Sequence, residues 1–255
     1  LSNGLSGAGV DLYMNEKQFY VKKYVLNTGG VATLMKQAEI MKSWNHDSIK
    51  MPYVIDSGRS IDYPFFIDME YIEGDTLCHS FANPNMITSS NHHLYRHLLV
   101  KYMSELIEQS NPTINSNLYD LGLNKLELIS MNIQSKQINK KDSFILNLIS
   151  IVKNYFYRYK HSILLLSSRS RLNTVHGDLT LSNIIVAKNA IFFIDPIGHY
   201  LNNNILADYF KLLFDLEFGL SFKVERNFLP IKTSISLFIQ KMHHSLKVIF
   251  DEYFV

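Results

Sequence analysis

Hydrophobic positions along this chain follow two periods, and the change between them divides it. From Gln18 to Leu26 aromatic and β-branched residues predominate, as a strand requires. Alternation there sets Tyr20 and Lys22 on one face and Phe19, Val21 and Lys23 on the other. Val10 to Met14, Met51 to Asp56 and Phe65 to Ile72 are further strand candidates, the last two separated by the turn-rich Ser57-Gly58-Arg59-Ser60. Thr28-Gly29-Gly30 opens a predicted helix from Ala32 to Trp44, with Leu34, Ala38 and Met41 on its apolar face. Beyond Gly74 the period becomes helical. Leu94, Leu98, Tyr102 and Leu106 recur four residues apart, with Leu99 and Met103 beside them, behind the cap cluster Ser89-Ser90-Asn91. Asp142 to His161 predicts a second long helix with Ile145, Leu148, Val152, Tyr155, Phe156 and Tyr159 inward, and Leu118 to Ile138 reads as irregular. A last helix, about Ile231 to Tyr253, should bury Ile235, Phe238, Met242, Leu246 and Phe250.

One block departs from the helical pattern. Asn183 to Val186 and Ile191 to Ile194 are apolar on both faces and read as two buried strands, joined at Lys188-Asn189 by a tight turn that Asn tolerates. A loop of two or three residues pairs Asn183 with Ile194 or with Asp195. Either register brings the Asn183 amide and the Asp195 carboxylate to one end of the hairpin, roughly 5–8 Å apart. Two oxygen ligands so presented suit a hard divalent cation carrying nucleotide phosphates. Asp178, in the loop leading into the hairpin, is free to accept a proton from an attacking hydroxyl. Near the start, residues 2 to 9 are a Gly/Ser-rich loop whose backbone N–H groups could cradle phosphate.

Composition narrows the partners. With 47% hydrophobic and 13% aromatic residues the chain has ample core material for one large domain or two small lobes. A formal net charge of +2 gives no ground for a nucleic-acid or anionic-membrane partner. The single cysteine, Cys78, excludes an internal disulfide and fits a reducing, cytoplasmic compartment, where it reads as a small buried hydrophobe. No apolar run approaches the roughly 20 residues of a membrane span. Leu1-Ser2-Asn3 carries neither a signal-peptide pattern nor an initiator Met, so a start further upstream is expected.

The motif His176-Gly177-Asp178, then Asn183, an apolar strand, and Ile194-Asp195-Pro196 resembles the catalytic loop and metal segment of the protein-kinase-like fold. Gly177 and Pro196 point to its small-molecule branch, that of the aminoglycoside, choline and fructosamine phosphotransferases, rather than to protein kinases. The resemblance implies an α+β, two-lobed fold: a mainly β, nucleotide-binding N-lobe over residues 1–72, and a mainly helical C-lobe over 73–255 with the catalytic loop, metal site and acceptor-binding helices. It implies ATP and Mg²⁺ as cofactors, Asp178 as catalytic acceptor of the proton, and Asn183 and Asp195 as metal ligands. A strand lysine should contact the α- and β-phosphates. Lys22 is favoured over Lys23, because it directly follows the aromatic-apolar pair Tyr20-Val21. A helix carboxylate should orient that lysine. Glu39 is the only acid between Glu16 and Asp47, although Gln37 lies nearer the centre of the apolar face and could hold the slot instead. The backbone of Glu70 and Ile72 should hydrogen-bond adenine, with Met69 behind it. His176 should pack beneath the loop, and Asp208 should bond the loop backbone.

The acceptor should be small. Only Pro196 to Leu206 separates Asp195 from the next predicted helix, whereas a protein kinase needs a longer segment there to dock a peptide. The activity implied is transfer of the ATP γ-phosphoryl group to a hydroxyl of a small metabolite, with a sugar or amino-sugar favoured. A nucleotide-binding pseudokinase acting as scaffold or sensor is the alternative, and a protein kinase a more distant one.

Overall fold

The computed structural model describes residues 8–15, 18–82, 89–109, 111–112, 118–135, 140–169, 171–172, 174–187, 190–197, 204–218, 221 and 233–254. The predicted phosphate-cradling loop at residues 2 to 9 falls almost wholly outside them, as does the turn Lys188-Asn189.

Four strands, β1 (Gly9–Asn15), β2 (Gln18–Val25), β3 (Val54–Gly58) and β4 (Phe65–Glu70), form an antiparallel sheet in the order β1-β2-β4-β3. Its two faces differ sharply. Lys23, Val25, Phe65, Ile67 and Met69 are buried on one face, towards which helix α1 (Val31–Ser43) turns Leu34, Gln37, Ala38 and Met41. The other face carries Lys22 opposite Asp68. Past β4 the chain enters β5 (Asp75–Thr76), then helices α2 (Leu77–Ala82) and α3 (Ser89–Glu108). Leu99, Tyr102, Met103 and Leu106 are buried along α3, as their spacing predicts.

Contacts divide the chain into two compact units, residues 1–110 with 172–253, and residues 111–171 together with Phe254. The expected lobe boundary at Ile72 therefore lies inside the first unit, and every site residue discussed below belongs to that unit. The second unit holds helices α4 (Leu118–Gln134), α5 (Lys140–Arg158) and α6 (Lys160–Arg169), bracketed in sequence by short strands β6 (Asn111–Pro112) and β7 (Arg171–Leu172). Two expectations fail here. Leu118 to Ile138 is not irregular: α4 runs through most of it, with Gly122 in its interior. A Cβ at Gly122 would lie 2.4 Å from the Phe156 ring, so a residue that weakens an isolated helix is needed here for α4 and α5 to approach. The inward stripe of α5 is also displaced. Ile149 is buried, whereas Leu148, Val152, Tyr155 and Tyr159 are exposed, the two tyrosines stacked on each other at 6.0 Å.

Strands β8 (Ile184–Ala187) and β9 (Ala190–Phe193) form the predicted hairpin, paired Ile184↔Phe193 through Ala187↔Ala190. β5 pairs with the outer edge of β8, and Lys50 bridges the outer edge of β9, its carbonyl accepting the Phe193 N–H at 2.8 Å. With both edges covered and Ile184, Val186, Ile191 and Phe193 buried, the hairpin is a fixed platform. Helix α7 (Ile205–Phe218) follows, and the last helix, Thr233–Phe254, buries Met242, Leu246 and Ile249.

Candidate active site

The hairpin register settles where its ends fall. The Ile194 N–H donates to the Asn183 carbonyl at 3.0 Å, continuing the ladder, so Asn183 stands opposite Ile194 and Asp195 is the next residue out. Asp195 has φ 58°, a left-handed conformation that Asp tolerates better than most residues. Its carboxylate meets the Lys23 ammonium at 2.8 Å. The lysine side chain is 4% exposed and the aspartate 49%, so a buried cation is neutralised by an anion that still faces solvent.

The neighbouring lysine goes elsewhere. Lys22, expected to contact phosphate, lies on the opposite face of the sheet. It pairs with Asp68 at 2.7 Å and sits 4.0 Å over the Phe66 ring. Alternation in β2 is the physical reason: only one of two adjacent lysines can share a face with buried Ile67 and Met69, and it is Lys23. Glu39 is likewise outside the site. It is 62% exposed and pairs with Lys36 one turn earlier, while Gln37 occupies the buried face of α1. Lys23 has its carboxylate partner in Asp195 rather than in α1.

Two side chains converge on Asp178. The Asn183 Nδ2 donates to the Asp178 carbonyl at 2.9 Å and lies 3.4 Å from its Oδ2, which leaves Asn183 Oδ1 available as an oxygen ligand. Lys211, on α7, places its ammonium 2.6 Å from Asp178 Oδ1. Sequence reasoning missed Lys211. The signal was its position three residues after Asp208, on the same helix face.

The loop itself is held from beneath. Gly177, at φ 82°, makes the turn that exposes Asp178. Buried Asp208 accepts hydrogen bonds from the His176 and Gly177 N–H groups at 2.8 and 2.6 Å and from the Tyr102 hydroxyl at 2.6 Å. Burial pushes the Asp208 carboxyl above its usual range, against the pull of those donors, and burial beside Asp208 pushes the Tyr102 phenol well up, so that it donates. His176 Nδ1 accepts the Asp178 N–H at 3.2 Å. The proton is therefore on Nε2, which donates to the Ile194 carbonyl at 2.6 Å. A neutral His176 tying the loop to the second strand is a strut, as expected. A second buried acid, Asp215, accepts the Leu181 N–H at 2.7 Å and two bonds from Ser221, whose hydroxyl in turn receives the Ser182 N–H. Asp215 was also missed, although it lies seven residues, two helical turns, after Asp208 on the same face of α7.

Glu70 donates its N–H to the Tyr53 carbonyl at 2.9 Å, and Ile72 is buried two residues on, between the sheet and β5 in sequence. The donor set also bears on a metal. Among the described residues no three His, Cys, Asp or Glu side chains gather. One amide oxygen and one half-exposed carboxylate do not make a protein cage. They fit Mg²⁺, which keeps its waters and takes its other ligands from substrate phosphates.

The chain has an α+β, protein-kinase-like fold. No family model matches the sequence, and no curated protein sequence does. Among solved structures it is similar to the aminoglycoside phosphotransferase APH(4)-Ia, with TM-score 0.59 and 11% identity over 99% of this chain and 77% of that one. A thermostable mutant of the same protein, in ternary complex with AMP-PNP and hygromycin B, gives TM-score 0.56 and 11% identity over 99% and 85%. A glucosamine kinase in complex with glucosamine, ADP and inorganic phosphate gives TM-score 0.54 and 10% identity over 96% of this chain, which spans 64% of that protein's length. Among the described residues no helix is long and apolar enough to cross a membrane.

Proposed function

We propose that this protein transfers the γ-phosphoryl group of ATP to a hydroxyl of a small metabolite, with a sugar or amino-sugar the favoured acceptor. The observation that carries the reading is the grouping of Asp178, Asn183, Asp195 and Lys23 at one end of the β8–β9 hairpin, with the loop that carries Asp178 locked by two buried aspartates. Asp178 orients the acceptor hydroxyl and takes its proton as the oxygen bonds to the γ-phosphorus. The bond from that phosphorus to the bridging oxygen breaks, and ADP leaves with the oxygen. Asn183 Oδ1 and the open side of Asp195 are the groups that would hold Mg²⁺, which when bound supplies charge neutralisation to the phosphates. Lys23, not Lys22, contacts the phosphates, held in place by Asp195. Of the Glu70 main chain only the carbonyl is left for adenine, its N–H being bonded to Tyr53, and the Ile72 N–H is the complementary donor. The likeness to a glucosamine kinase supports the choice of acceptor class.

Asp178→Asn tests the reading. It should cut phosphate transfer by about 10²–10⁴-fold while calorimetry finds Mg-ATP still bound. The acceptor is found by incubating the protein with ATP and a metabolite extract and reading the species that gains a phosphate by mass spectrometry. Mg-ATP binding with no transfer to any acceptor would replace this proposal with the scaffold reading, and transfer unaffected by Asp178→Asn would remove Asp178 from the mechanism.

A further inference from the structure

Lys211 is a charge that the loop's architecture does not need. Three loop N–H groups are already fixed by Asp208 and Asp215. The Lys211 side chain is 46% exposed, and an ion pair so open to water adds little to stability. Position gives the reason to keep it. Lys211 follows Asp208 by one turn of α7, and Asp208 is bonded to the backbone on the N-terminal side of Asp178, so the root of the lysine is fixed relative to that carboxylate.

Charge supply is the second consideration. A transferring phosphoryl group spreads negative charge over three oxygens between the entering and leaving oxygens. Lys23 stands on the Asp195 side of the site. On the acceptor side, the stretch from Thr174 to Ala187 contains no lysine or arginine. An acceptor oxygen within hydrogen-bond reach of Asp178, about 2.6–3.2 Å, stands about 3–3.5 Å from the phosphorus it attacks. A cation already on that carboxylate is then within a side-chain rotation of the phosphoryl oxygens, and an ammonium has three donors, of which Asp178 uses one.

We propose that Lys211 is a catalytic residue: its ammonium bonds the γ-phosphoryl oxygens of the nucleoside triphosphate during transfer, supplying from α7 the positive charge that the catalytic loop lacks. The proposal rests on the phosphotransfer reading of the same site, and the first test separates the two. The probe is the biotinylated acyl phosphate of ATP, a mixed anhydride on the γ-phosphate, added with Mg²⁺ to the full chain. A lysine amine beside that phosphate attacks the acyl carbonyl and an amide bond forms. The acyl–oxygen bond to phosphate breaks, ATP departs, and the amine proton passes to solvent. Peptide mapping should find Lys23 and Lys211 acylated, both protected by excess ATP, and Lys22 untouched. ATP-protected labelling of Lys23 without Lys211 overturns the proposal and leaves the phosphotransfer reading standing. Absence of ATP-protected labelling at both overturns the two together.

Kinetics provides the second test, with ATP turnover to water as the readout. Lys211→Met should lower kcat about 10²–10³-fold, the scale of losing one donor to transition-state charge, with nucleotide affinity changed less than about threefold. Lys211→Arg should recover part of the loss, because it keeps the charge while changing the donor geometry. A kcat for Lys211→Met equal to that of the unaltered protein overturns the role. Should that variant fail to fold, the labelling of the unaltered chain still decides.

Discussion

Adjacent lysines in β2 carry the same charge and meet opposite fates, because successive side chains of a strand leave by opposite faces. Lys22 closes a largely buried pair with Asp68 on the face away from the site, while Lys23 is buried among apolar side chains and neutralised by Asp195. The two make different predictions. Lys23→Met should lower kcat/KM for ATP by about 10²–10³-fold, as expected for one charge on a phosphoryl group. Lys22→Met should leave that constant unchanged and cost about 1–2 kcal/mol of stability, by stranding the Asp68 carboxylate. Steady-state kinetics and denaturant titration of both variants check the pair, and reversed results would return Lys22 to the site. Residue types alone could not choose between the lysines. The burial of Ile67 and Met69 opposite them does, and that belongs to the sheet as a whole.

At the scale of elements, helix α7 is the ruler of the site. Positions 208, 211 and 215 recur on one helical face, and their side chains meet the loop at the His176 and Gly177 N–H groups, at Asp178, and at the Leu181 N–H. Family resemblance pointed to the first of these. The other two required only helical periodicity applied to polar residues as well as apolar ones. The hairpin was legible to within one residue of its register, since a short connection between two apolar strands left two pairings, and the structure sets Asn183 opposite Ile194. What fastens it to the rest of the unit was less so. Gly74 shows why: a Cβ there would lie 2.4 Å from the Val186 carbonyl oxygen, so β5 can reach the edge of β8 only through a glycine. Gly74→Ala should therefore destabilise by about 2–3 kcal/mol, lowering Tm by about 5–10 °C in a thermal melt. An unchanged Tm would mean that β5 does not need that close approach. The misplaced face of α5 has a different origin. The apolar arc of α5 is broad, and Gly122 against Phe156 turns one edge of it inward, the edge on which Ile149 is buried.

For the molecule as a whole, several phenols are held protonated by the fold. Tyr63 is pushed up to about 12, chiefly by its hydrogen bond with Tyr13, and Tyr209 to about 12, chiefly by burial, with Asp251 adding to it. In the unfolded chain these groups ionise near 10. Their contribution to stability is thus complete below about pH 10 and is lost as pH rises towards about 12, since the unfolded state then releases protons that the folded state retains. Denaturant midpoints measured from pH 8 to 12 should be flat to about pH 10 and fall beyond it, with tyrosinate absorbance following unfolding. Loss of stability beginning well below pH 10 would show that other groups govern the alkaline limb.

The sequence by itself determined the strand pair β8–β9, the placing of Asn183 and Asp195 at one end of it, and Asp178 in the loop just before it. Each of these depends on spacing within a few residues, where backbone geometry leaves little choice. The tertiary structure alone decided which lysine enters the site, that the carboxylate facing it is Asp195 rather than Glu39, and that Lys211 and Asp215 come up beneath the loop. Those choices join residues 33 to 172 positions apart, and they follow from which faces the chain can bury at once, a constraint that no local window of sequence contains.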